Sequence, residues 1–294
     1  MKILLTGANG QLGRCFQDRL PQGWSVLATD SDSLDITDEA QVQATVASWQ
    51  PDAIVNAAAY TAVDKAESEP ELAARINVAG PEYLARAARQ RGARFIHVST
   101  DYVFDGTATQ PYSETDVTHP LGVYGQTKLD GERAVLKVNP AAQIVRTAWV
   151  FSEYGNNFVK TMLRLGRERD SFGVVADQRG CPTYAGDIAG AIICLLQQQG
   201  DGGLYHFCGD EEVSWFEFAQ IIFNRALQLG VMNQIPQLTA ITTSQYPTPA
   251  CRPMYSVLSC KKIKQYGISP SLWMQALSHV LSQIGSPTPP VINL

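Results

Sequence analysis

Short apolar, β-branched runs alternate with helix-period stretches through the first half of the chain. The runs Lys2–Thr6, Ser25–Thr29, Ala53–Asn56, Arg94–Ser99 and Gln143–Thr147 read as strands, and Gln11–Leu20, Asp38–Trp49, Glu71–Gln90 and Tyr124–Val138 read as helices. Strands alternating with helices predict βαβ units, which right-handed crossovers wind into a parallel sheet covered on both faces. Ligands of such sheets collect at the carboxyl ends of the strands. Past about residue 150 the rhythm loosens. Strand-like pieces at Gly173–Ala176 and Leu204–Phe207 mix with helical stretches near Tyr184–Gln199, Ser214–Leu229 and Leu272–Ile284. Thr239–Pro253 is a Thr/Pro-rich stretch, and the proline-bearing tail Gly285–Leu294 reads as extended. The expected class is α/β. A doubly wound, Rossmann-type dinucleotide-binding domain spans residues 1–150, with part of the later chain returning to it. A smaller C-terminal α/β substrate domain, mainly residues 151–294, closes over the strand ends.

Composition narrows the partners. With 45% hydrophobic and 17% charged residues the chain is an ordinary globular one, and its net charge of -5 argues against a sequence-independent nucleic-acid binder, which needs a basic face. The six cysteines (Cys15, Cys181, Cys194, Cys208, Cys251 and Cys260) are scattered without a CxxC pair. They read as reduced thiols, neither a disulfide framework nor a zinc site. A strand begins at Lys2, which leaves no signal peptide, and no run reaches the ~18 apolar residues of a spanning helix. A cytoplasmic protein with no membrane partner is expected.

Gly7-Ala8-Asn9-Gly10-Gln11-Leu12-Gly13 follows the first strand and opens the first helix. Gly7 allows a tight turn, Gly10 lets backbone approach a pyrophosphate, and Gly13 lets the helix pack near the strand. Free N–H groups at the helix start then attract phosphate charge. A ligand-free glycine-rich turn has the same composition, but this position between strand and helix favours dinucleotide binding. Asp30, seventeen residues after Gly13, closes the second strand. Its carboxylate suits the adenosine ribose hydroxyls and repels a 2′-phosphate, so NADPH or NADH is the expected cofactor, with the charge leaning to NADH. Asp30 also reads as a turn residue of the polar stretch Asp30-Ser31-Asp32-Ser33. Asn56-Ala57-Ala58-Ala59-Tyr60 ends the third strand with small residues against which a cofactor could lie.

Tyr124 and Lys128, four apart, share one face of a helix. A phenol near pKa 10 is a poor acid at neutral pH, and a neighbouring ammonium is expected to pull it down into a useful range. The same lysine could hold the nicotinamide ribose, whereas the bland alternative is a solvated helix face. The fourth strand ends in His97-Val98-Ser99-Thr100-Asp101. A hydroxyl there, Thr100 by preference, could hold a substrate carbonyl beside Tyr124, and Asp101 could tune the proton transfer. The bland alternative is capping of a strand end. His97 alternates inward and reads as core.

The spacing G-x-x-G-x-x-G with YxxxK resembles the short-chain dehydrogenase/reductase superfamily. The stretches Thr61–Glu67, Ser99–Phe104, VYGQTKLDGE (Val123–Glu132), RTAWV (Arg146–Val150), GNNFVKTMLR (Gly155–Arg164), DQRGCPT (Asp177–Thr183) and YPTPACRPMYSVL (Tyr246–Leu258) resemble the dTDP-4-dehydrorhamnose reductases along nearly the whole chain. The resemblance implies reduction of the 4-keto group of dTDP-4-dehydro-L-rhamnose by NAD(P)H, the last step of dTDP-L-rhamnose synthesis. It implies Thr100, Tyr124 and Lys128 as the catalytic set with Asp101 assisting. Gln11, Leu12, Asp30, Asp35, Ile36, Ala58, Ala59 and Tyr60 match cofactor contacts, Trp149 a residue facing the sugar, and Arg252 a guanidinium placed for the diphosphate. The family's Arg-Pro-x-Asn-Ser reads Arg252-Pro253-Met254-Tyr255-Ser256, so a tyrosine stands where the amide is usual. Some members bridge a dimer with magnesium through glutamates, one of them in the first helix. Cys15 holds that position and no such metal site is expected, although a homodimer stays open. Two other readings also stay open: a related nucleotide-sugar epimerase or dehydratase, and a non-catalytic protein like the regulatory subunits of methionine adenosyltransferase. The missing glutamate after Thr100-Asp101 speaks against a dehydratase. The intact Thr100, Tyr124 and Lys128 speak for catalysis.

Overall fold

At the five apolar runs of the first half, strands β1 (Lys2–Thr6), β2 (Ser25–Thr29), β3 (Ala53–Asn56), β4 (Arg94–Thr100) and β5 (Gln143–Thr147) form in a computed structural model that describes residues 1–285. The tail beyond Gly285, expected to be extended, lies outside the described residues. The later run near residues 204–207 leaves the C-terminal part and becomes β6 (Gly203–His206), pairing with β5. All six strands are parallel, in the order β6-β5-β4-β3-β1-β2. Strand order reverses at β1, which leaves a crevice at the carboxyl ends of β1 and β3.

Strand alternation divides the interior in two. Ile3, Leu5, Val55, Ile96 and Val145 point to one face, under helices α1 (Gln11–Asp18) and α6 (Ala185–Gln198). Leu4, Ile54, Phe95 and Ile144 point to the other, under α2 (Glu39–Trp49), α3 (Gly80–Arg91) and α4 (Val123–Val138). Both faces are covered, so β3 is buried at every position. The first core continues into the later chain through α5 (Phe158–Glu168), α7 (Trp215–Gln228) and α8 (Trp273–Gly285).

One reading needs correction, and one stretch gains a strand. The helix expected over Glu71–Gln90 is helical from Pro70 to Arg91 but winds as a π turn at Arg75–Ala79. Pro81 has no N–H for the Asn77 carbonyl, and that carbonyl is pressed so closely on α4 that a Cβ at Gly131 would lie 2.0 Å from it. The Thr/Pro-rich stretch begins with a strand, Gln237–Ile241, paired in parallel with Ser171–Val175. Its partner lies some sixty residues upstream in sequence, beyond the reach of local pattern.

Candidate active site

The glycine loop is a cradle with no room for side chains. Gly7 has φ +67°, and a Cβ there would lie 2.6–2.7 Å from the Ala57 and Ala58 backbone. At Gly13 a Cβ would lie 2.3 Å from the Gly7 carbonyl oxygen. Gly10 is the N-cap of α1 and brings no capping side chain, so the first-turn amides stay available to an anion. These features fit the pyrophosphate of a dinucleotide. Leu12 faces the core, whereas Gln11 accepts hydrogen bonds from the Ser152 hydroxyl (3.0 Å) and the Asn157 amide (2.9 Å).

Around the cradle the expected cofactor residues divide. Asp30 uses one carboxylate oxygen on its own turn, accepting from the Asp32 and Ser33 N–H groups and the Ser33 hydroxyl, and the other on the Asn9 amide. Those turn bonds hold its carboxyl below the usual range. Asp30 is thus a turn residue that also abuts the loop. Asp35 is exposed and accepts from Thr37, while Ile36 is buried against Gly80. Ala58 and Ala59 are half-buried, the Ala58 backbone against Gly7, and the Tyr60 hydroxyl donates to Glu69 at 2.7 Å.

Thr100 ends β4, Asp101 opens the 3-10 turn that follows it, and Tyr124 and Lys128 lie on the first turns of α4. The Thr100 hydroxyl reaches the Tyr124 phenol and donates to Asp101 Oδ1 at 3.0 Å. Tyr102 packs edge-on against Tyr124, with centroids 5.4 Å apart. Asp101 is 2% exposed, and burial pushes its carboxyl up to about 6, opposed by Ser256 and Thr100. The expected lowering of Tyr124 by Lys128 is not found. Burial, joined by the Asp101 charge and eased by Thr100, pushes the phenol up to about 12. The Lys128 ammonium instead donates to the Val98 carbonyl at 2.7 Å, and burial pushes it down to about 8 against the pull of Glu132. Desolvation disfavours the charged form of both groups and dominates both shifts. His97 is fully buried, its Nδ1 3.0 Å from the Asn56 amide, and burial pushes it well down.

The chain matches, over residues 1–286, the family described as RmlD substrate binding domain. It belongs to that family. A dTDP-4-dehydrorhamnose reductase of Aggregatibacter actinomycetemcomitans is 49% identical over 287 residues, covering 95% of this chain and 98% of that one. The crystal structure of a dTDP-4-dehydrorhamnose reductase ortholog from Clostridium acetobutylicum superposes with a TM-score of 0.91 at 40% identity, covering 97% of this chain and 100% of that one. A Bacillus anthracis dTDP-4-dehydrorhamnose reductase in complex with NADP gives 0.89 at 39% identity, covering 95% and 98%.

Beyond the sheet edge, this member of the RmlD family sets further residues by tertiary contacts. Trp149 stacks on Trp215, their centroids 3.4 Å apart. The Arg252 guanidinium makes a two-pronged pair with Asp64 at 3.0 and 2.8 Å, which holds the Asp64 carboxyl below its usual range. Tyr255 points its hydroxyl to Glu212 at 3.3 Å. Cys15 is buried, and all six cysteines are free thiols. Among the described residues no helix is long and apolar enough to cross a membrane.

Sequence reasoning passed over Asn77, Glu67 and Trp215. Asn77, in the π turn, bonds the Tyr60 backbone and donates to the Thr127 hydroxyl at 3.1 Å. It thereby ties the segment after β3 to α4. Pro81, four residues on, was the available signal. Glu67 accepts from the Val123 N–H at 2.8 Å, capping α4 where Gly122 has no side chain.

Proposed function

We propose that this chain reduces the 4-keto group of dTDP-4-dehydro-L-rhamnose to give dTDP-L-rhamnose. The observation that carries the reading is the convergence of Thr100, Tyr124 and Lys128 at the sheet's carboxyl edge beside a glycine cradle, within a family match over residues 1–286. A reduced nicotinamide dinucleotide held in the cradle supplies hydride. With substrate bound, Thr100 would turn its hydroxyl proton from Asp101 to the keto oxygen, and Tyr124 would hand its phenolic proton to that oxygen as charge develops. A raised phenol pKa keeps this proton in place until it is needed. Lys128 stands one turn away to hold the nicotinamide ribose and to stabilise the phenolate left behind. Asp101 orders the Thr100 hydroxyl.

The finer assignments follow the same reading. Gln11, Leu12, Asp30, Asp35, Ile36, Ala58, Ala59 and Tyr60 line the cofactor, and the Asp30 charge favours NADH over NADPH. Residues after about 150 mainly form the sugar-nucleotide side, with Trp149 at the hexose and Arg252 at the diphosphate, its fork already oriented by Asp64. The test is loss of reduced-cofactor absorbance with enzymatically made dTDP-4-dehydro-L-rhamnose, run with NADH and with NADPH, and with the UDP analogue alongside. Turnover of the dTDP sugar is expected. A protein that binds the cofactor yet turns over neither sugar overturns the reading.

A further inference from the structure

Gln50, Trp149 and Gln199 are the non-glycine residues with positive φ among the described residues. Gln50 and Gln199 close α2 and α6, where a left-handed residue is a common helix ending. Trp149, at +48°, closes no helix. Such an angle on a bulky residue is strained and persists only where the surroundings enforce it, which is commonest beside ligands.

The surroundings do enforce it. The Trp149 and Trp215 rings lie 3.4 Å apart and within 5° of parallel, and Phe158 packs on Trp215 at 4.6 Å. A Cβ at Gly180 would lie 2.5–2.9 Å from the Trp149 indole, so only glycine leaves the ring its place. The Trp149 carbonyl accepts from the Thr183 N–H at 3.1 Å, which fixes the backbone as well. Three segments distant in sequence thus converge to hold one side chain. Its location matters. Thr147, two residues before it, is the register partner of Thr100 on the neighbouring strand. The indole N–H of Trp273 donates to the Glu211 carbonyl at 3.1 Å, whereas that of Trp149 donates to no group among the described residues. Trp149 also keeps part of its surface exposed. An immobilised aromatic with a free donor is what a hexose needs, apolar C–H surface and hydroxyl acceptors together.

We infer that Trp215 is a positioning residue for sugar recognition: it clamps Trp149, over the gap that Gly180 leaves, in the orientation that presents the indole N–H to the hexose of the nucleotide-sugar. The inference rests on the nucleotide-sugar reading above, but its test needs no turnover. Calorimetric affinities for dTDP-L-rhamnose, dTDP and NADPH are compared in the intact chain, Trp215→Ala and Trp215→Phe, with near-UV circular dichroism reporting the stacked pair. The intact chain binds the sugar nucleotide more tightly than dTDP. Trp215→Ala, which removes a partly exposed ring, loses about tenfold for dTDP-L-rhamnose and keeps dTDP and NADPH affinities within about twofold. Trp215→Phe, which retains a stacking partner, recovers most of the loss. Equal losses for dTDP and dTDP-L-rhamnose, no loss when the dichroic signal of the pair has gone, or a folded Trp215→Phe as weak as Trp215→Ala would each overturn the inference. An intact chain that fails to reduce the keto sugar yet shows the Trp215-dependent margin would defeat the reaction reading and uphold this one.

Discussion

Asp101→Asn should make this protein more stable at neutral pH while impairing it. Asp101 is 2% exposed; its Oδ1 accepts the Thr100 hydroxyl, and Ser256 is the other side chain that favours its charged form. Burial lifts the carboxyl from the ordinary 3.8 to about 6. The folded protein therefore keeps a proton that the unfolded chain has released between those two values, and stability falls as pH rises through that window. Above it the full penalty applies: at about 1.4 kcal/mol per pH unit, about 3 kcal/mol. Asp101→Asn keeps the shape and the Oδ1 acceptor and removes the ionisation. Urea denaturation of both proteins from about pH 4 to about pH 8 isolates the effect, because every other carboxylate is common to the pair. The variant should match wild type near pH 4, gain through pH 6 and hold an advantage of about 3 kcal/mol above pH 7. The kcat should fall over the same range, because the Thr100 hydroxyl loses its charged acceptor. A pH-independent difference, or a variant less stable at neutral pH, would show that partners rather than burial govern this carboxyl.

Three other substitutions probe the site. Tyr124→Phe removes the transferable proton alone; kcat should fall by at least about a hundredfold with cofactor affinity nearly unchanged, and retention of a tenth of the activity would remove Tyr124 from its role. Glu67→Ala takes away the cap on the first turn of α4, with an expected stability loss of about 1 kcal/mol and a drop in kcat that exceeds the change in cofactor KM, while Glu67→Gln, still an acceptor, restores most of both. Asp30→Ala should move the ratio of kcat/KM values toward NADPH by about tenfold at fixed ionic strength. Equal losses with both cofactors would mean that Asp30 serves only its turn and Asn9.

Local pattern carried far in the first half of this chain. β1, β2, β3 and β5 begin and end where their β-branched and apolar runs do, because those residues suit the pleated surface of a sheet. The glycine spacing announced the cradle because close backbone approach excludes a Cβ at Gly7 and Gly13, a constraint written residue by residue. Four-residue spacing likewise put Tyr124 and Lys128 on one helix face. What pattern misjudged was the direction of the Tyr124 shift: spacing reports which residues share a face, whereas burial is set by everything packed around, and here burial pushes the phenol up. The same division runs through the later chain. The pairing of Gln237–Ile241 with Ser171–Val175, the Asp64–Arg252 pair and the Trp149–Trp215 stack join residues 66 to 188 positions apart. No periodicity encodes such pairs, since they exist only once the sheet and its crossovers have brought those segments together.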